Sequence, residues 1–205
     1  MFGFSLDLLD QLTFYGSYHR DPVNKAIHLV CVPGIAWSAL VWFAACGPLV
    51  EGAHLARWLA ALGAPQMVAE SAVPTPAMLI TALYAAYYVA LEPIAGTTWV
   101  ACVGAPMCLT ATAFQAWAAP SAWVYALAVH AFCWIAQIYP GHVVFERRRP
   151  ALLDSLFQSL VLAPLFVWME VMFACGYRPG LHADLKRRVV KRVAAMEEAD
   201  SKKST

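Results

Sequence analysis

Residues 93–145 contain no Asp, Glu, Lys or Arg. A hydrocarbon core is crossed by about 20 residues of helix, so this stretch holds two spans. Ala119-Pro120 is the natural break between them. Inside a bilayer each backbone N–H and C=O needs an internal partner, which a helix supplies within one segment. The expected fold is therefore all-α: a polytopic integral membrane helix bundle. Composition agrees, since 13% of the residues are charged where a soluble domain carries about 25%.

Two further spans are expected, at residues 26–50 and 76–91. The first has a marked start, with Asp21 placed to cap and Pro22 suited to the first helical position. With 97–117 and 122–139 the count is four. Pro140-Gly141 is expected to break the last of these. A fifth apolar piece, 152–175, carries Pro164 and is read as re-entrant or tilted. The connecting piece 51–71 is read as an interfacial helix; taking it as a span would give six. Residues 2–14 look like an amphipathic interfacial helix rather than a signal peptide.

Arg20, Lys25, Arg147, Arg148, Arg149 and the basic tail all fall on one side if four segments cross. That side is cytoplasmic by the positive-inside rule, and both termini are expected there. Residues 1–182 are read as one membrane-embedded catalytic domain and 183–205 as a basic cytoplasmic tail. A net charge of +1 speaks against a nucleic-acid partner. The six cysteines form no CxxC spacing and read as small apolar residues.

Ionisable groups in a membrane segment are functional candidates, and imidazole is the commonest ligand of transition metals. His19 and His28 flank the start of the first span. Asn24 and His28, four apart, share a helix face. His19 precedes the cap and is free to fold over that face. These residues are read as a site. His130, Trp134 and Gln137 form a second polar face, and His142 follows the Pro-Gly pair. Along an unbroken helix His130 and His142 would lie about 18 Å apart. Either they serve different sites or the chain doubles back at Pro140. Glu146 and Glu170 are candidate ligands, orienting partners or ion-pair partners. His54 and His182 are expected to face solvent.

Tyr18-His19, Asn24, His28 and Pro33 resemble a known family. So do Gln137, Gly141-His142, Phe145-Glu146, Pro150-Ala151-Leu152, Ala163-Pro164-Leu165-Phe166 and Glu170. These look like the motifs of the 2-hydroxy-fatty-acid dioxygenases of the endoplasmic reticulum, which act in sphingolipid breakdown. The resemblance covers residues 12–182 and departs mainly in 51–74. It implies an Fe(II) enzyme of fatty-acid α-oxidation, converting a 2-hydroxy fatty acid and O2 to an acid one carbon shorter. It implies His19, His28, His130 and His142 as iron ligands. Asn24, Gln137, Glu146 and Glu170 are the associated catalytic candidates, and Arg20, Lys25 and Trp134 the candidates for binding substrate. The substrate tail would lie in the bundle or among membrane lipids. The membrane implied is the endoplasmic reticulum, or a bacterial inner membrane for a prokaryotic chain. The closing Lys202-Lys203-Ser204-Thr205 resembles a dilysine retrieval signal.

Two rivals remain at this point. A membrane di-iron lipid hydroxylase would need clustered histidine boxes, and none occurs. A haem-binding electron carrier could clamp haem between His28 and His130.

Overall fold

The computed structural model describes residues 6–50 and 54–203, and among these it is all-helical. The helices are α1 (Leu8–Gly16), α2 (Pro22–Ala45), α3 (His54–Ala61), α4 (Gln66–Ser71), α5 (Pro76–Leu91), α6 (Pro93–Ala118), α7 (Ala122–Glu146), α8 (Leu156–Ala174) and α9 (Pro179–Lys203). The chain divides into two compact units, Val30–Ile135 and the two flanking stretches together.

Within Val30–Ile135, one buried cluster joins Leu40, Val41 and Ala44 near the end of α2 with Ala77 at the start of α5. It also takes in Cys108 and Ala111 late in α6, and Ala122 and Ala126 at the start of α7. Ends and starts thus alternate in one layer, the mark of four helices running up and down in turn. Large apolar side chains such as Trp123, Phe132 and Ile135 face outward, as lipid contact requires.

Three helices, α2, α6 and α7, are long and apolar enough to cross a membrane. This is fewer than the sequence led us to expect. Residues 76–91 form a helix of 16 residues, about 24 Å long against a hydrocarbon thickness of about 30 Å. The apolar stretch of α8 is also short. Residues 51–71 give two short helices, α3 and α4, with 51–53 outside the described residues.

The expected break at Pro140-Gly141 does not occur. α7 continues to Glu146 by adopting π-helical geometry from Gln137 onward. A wider turn tolerates the missing proline N–H, so the helix carries His142 with it.

In the other unit, α1 packs against α8 and α9. Leu12, Phe14 and Tyr15 of α1 are fully buried, as are Leu162, Leu165, Phe166 and Met169 of α8. From Leu8 on, the N-terminal segment is therefore a core element rather than an interfacial one; Leu6 and Asp7 are exposed, and residues 2–5 lie outside the described residues. Gly16 permits the approach of α9, since a Cβ there would stand 2.9 Å from Val189. The stretch 183–203 is helical and tied to α1: Arg188 pairs with Asp10 at 2.7 Å, and the Arg192 guanidinium lies 5.3 Å from the centre of the Phe14 ring.

Candidate metal centre

His19 lies in the turn between α1 and α2, and its position is set from both sides. The Tyr15 ring stacks on its imidazole at 4.1 Å with planes 5° apart. The Tyr15 backbone carbonyl lies 2.8 Å from His19 Nδ1. A carbonyl only accepts, so Nδ1 carries the proton and Nε2 keeps its lone pair. His28, nearly two turns into α2, repeats the device: its Nδ1 donates to the Asn24 carbonyl at 2.9 Å. Asp21 starts that helix by accepting the N–H groups of Val23 and Asn24 at 2.8 and 3.0 Å.

His142 arrives on the π-helical end of α7. The three rings meet edge to face, with centroids 4.4 Å apart for His19–His28, 4.9 Å for His19–His142 and 5.1 Å for His28–His142. One ring nitrogen from each lies within 4.8 Å of the others, and all three residues are buried. This triad could hold a metal ion.

Glu146 fixes this arrangement. Its carboxylate accepts the backbone N–H groups of Arg20 and Asp21 at 3.0 Å and the Asn24 side-chain amide at 2.9 Å. Among the described residues it is bonded to the His19 turn and Asn24 rather than to Arg147–Arg149. Asn24 packs so closely on α7 that a Cβ on Gly141 would lie 2.6 Å from its Oδ1.

His19 Nε2, His142 Nδ1 and Asn24 Oδ1 are buried without hydrogen-bond partners. Leaving such an atom unsatisfied costs about 1–3 kcal/mol. A metal ion could satisfy the two imidazole nitrogens. Burial, followed by the neighbouring His28 charge, holds the His19 pKa well below its usual value. The ring is therefore neutral at pH 7, as a metal ligand must be. The donor set fits a divalent transition ion with coordination positions left open.

Beside the triad lies a cavity of about 310 Å³ lined by His19, His28, Lys25 and Glu170, with Leu29 and Phe166 among its apolar walls. Lys25 Nζ donates to Glu170 Oε1 at 2.9 Å. Gln137 is buried at the start of the π-helical turn. Arg20 does not line the cavity.

Two expected residues are not part of this triad. His130 and Trp134 belong to the unit Val30–Ile135. There the Trp134 indole donates to His130 Nε2 at 2.9 Å, and His130 Nδ1 lies 2.9 Å from the Ser38 hydroxyl, which donates to the Ile35 carbonyl. Both imidazole nitrogens are engaged, which leaves no lone pair for iron or haem. The i, i+4 spacing of His130 and Trp134 was legible; the Ser38 contact, from another helix, was not. Tyr15 was overlooked, although its i, i+4 relation to His19 was there to be read. His182 stacks on Phe173 at 4.4 Å rather than facing solvent freely. His54 lies at a position whose side chain is outside the described residues.

The fold and site define a helical, membrane-type protein with a buried three-histidine centre able to hold a metal ion. The chain belongs to the family described as 2-hydroxy-palmitic acid dioxygenase Mpo1-like, which matches residues 6–175. It is 33% identical over 181 residues to the Saccharomyces cerevisiae protein named 2-hydroxy-palmitic acid dioxygenase MPO1, an alignment covering 88% of each chain. No solved structure matches it.

Proposed function

We propose that this protein is an Fe(II)-dependent dioxygenase of fatty-acid α-oxidation, with His19, His28 and His142 as the iron ligands. The convergence of three buried imidazoles, two of them locked with Nδ1 protonated, carries the reading. Family membership and the relative's name supply the substrate class. The reaction balances as 2-hydroxy acid plus O2 giving the acid one carbon shorter, CO2 and water. O2 takes all four electrons, so no 2-oxoglutarate is needed.

Bound Fe(II) would supply a Lewis-acidic, redox-active centre for chelating a 2-hydroxy carboxylate and reducing O2. The chain's own residues do the positioning. Tyr15 and Asn24 hold the two imidazoles through their carbonyls, and Glu146 ties the His19 turn to α7. The apolar cavity walls exclude water and accept the start of the acyl chain. The test is metal analysis of the detergent-purified protein paired with mass spectrometry of products from 2-hydroxypalmitate. Stoichiometric iron and pentadecanoate are expected; iron-free protein with full turnover would sink the reading.

Four crossings suit this protein better than three. Glu146 bonds to Arg20 and Asp21, and a chain that returns to the membrane face it left at α2 has an even count, which supports four. α5 supplies the fourth crossing, its short length met by local thinning of the bilayer. The clustering of Arg20, Lys25 and Arg147–Arg149 supports a cytoplasmic position for the metal centre. An endoplasmic-reticulum membrane is the location we propose.

A further inference from the structure

The cavity beside the triad is apolar apart from four groups: His19, His28, Lys25 and Glu170. Among the described lining residues, Lys25 is the only Lys or Arg. Its ammonium is held by Glu170 Oε1 at 2.9 Å, and the two side chains are about one-third and one-quarter exposed (33% and 26%). The pair therefore sits where the cavity meets its surroundings, while His19 and His28 lie buried.

We propose that Lys25, positioned by Glu170, is the carboxylate-recognition group of this cavity and makes it selective for a free fatty acid over a neutral ester, thioester or alcohol. The inference rests on the function proposed above and deepens it. A lysine ammonium has three N–H donors. Glu170 takes one and fixes the direction of the others; a second is available to an incoming carboxylate. The charge count allows this. Lys25 and Glu170 cancel, so a carboxylate entering between the apolar walls meets no net negative charge from the lining pair and finds an ammonium donor. A neutral thioester gains nothing from the ammonium and displaces its water without return. Leu29, Phe166, Val167 and Val171 offer the tail an apolar wall. Glu170 is a positioning residue here: it touches Lys25, not the substrate.

Binding of hexadecanoate and of hexadecan-1-ol to the full-length, metal-free protein in detergent separates the possibilities, read by tryptophan fluorescence. K25M should weaken hexadecanoate binding roughly tenfold or more, the loss of one charge-assisted hydrogen bond, and leave hexadecan-1-ol binding unchanged. K25R should keep the preference for the acid. E170Q should bind the acid at least as well as the wild type, since the Gln amide oxygen still accepts from Lys25 and keeps it in place while the competing negative charge is gone. Equal affinity of wild-type protein for acid and alcohol would overturn the proposal, as would equal weakening of both ligands by K25M. Because the assay uses neither iron nor turnover, a protein that selects the acid but fails to oxidise 2-hydroxypalmitate would overturn the dioxygenase reading instead.

Discussion

The Asn24 side-chain amide donates to Glu146 Oε2 across 2.9 Å, and that single bond determines which way the amide faces. A carboxylate only accepts, so the NH2 group must point to Glu146. Oδ1 then points at Gly141, with His28 close by. Through this contact the start of α2 and the end of α7 form one cradle, and several expectations follow from its geometry.

Removing the Glu146 carboxylate should release the His19 turn. Glu146→Ala abolishes the hydrogen bonds from Arg20, Asp21 and Asn24, each of a kind worth about 1.5–3 kcal/mol. We expect a lower thermal midpoint in detergent and reduced bound metal. Glu146→Gln should recover part of the stability, since its carbonyl still accepts.

The histidines should separate into two classes by metal content. His19→Ala, His28→Ala and His142→Ala should each lose most bound iron in elemental analysis. His130→Ala should keep its iron and lose stability, because its Trp134 and Ser38 partners are left unsatisfied. Loss of metal in the His130 variant would restore it to the ligand set.

Gly141→Ala tests the closeness of the cradle. A Cβ 2.6 Å from Asn24 Oδ1 must push Asn24 or α7 aside, and overpacking of this kind costs about 1–3 kcal/mol. Lowered stability with weakened metal binding is expected, and pairing it with Asn24→Ala should relieve the clash.

Acid should destabilise the metal-free protein. His19 is buried, and its folded-state pKa lies well below the unfolded value, which is about 6.5. Between those values the unfolded chain binds the extra proton. The His19 contribution is thus fully present above about pH 6.5 and falls as pH drops through that value, by up to about 1.4 kcal/mol per pH unit. Thermal midpoints from pH 8 to pH 5 should show this slope, and His19→Gln should flatten it.

An even number of crossings predicts sidedness. In single-cysteine variants treated with an impermeant maleimide in oriented vesicles, exposed Cys46 and a cysteine at exposed Ser121 should label from the same side. Exposed Cys175 should label from the other. Labelling of the Ser121 variant alongside Cys175 would refute four crossings.

The helical membrane class was legible because an uncharged stretch as long as 93–145 has few other uses. The His19–His28 pair was legible too, since Asp21 and Pro22 announce the helix start between them. His142 was harder. Pro140 reads as a helix break from local rules, and the wider turn that carries the helix past it packs Gly141 against Asn24, more than a hundred residues away. His130 was expected among the ligands because sequence shows that a membrane histidine needs partners but not that Ser38 and Trp134 supply them. The length of α5 was read correctly as residues 76–91, yet its hydropathy could not say whether so short a helix crosses.

The metal centre takes two histidines from the beginning of the chain and one from a helix made more than a hundred residues later. A ribosome therefore releases His19 and His28 long before His142 exists. The nascent chain has no complete binding site while the intervening bundle is being inserted. On the function proposed here, the ion could be captured only after α7 is in place, which makes loading a final step of biogenesis, and a chain truncated before His142 should never acquire it.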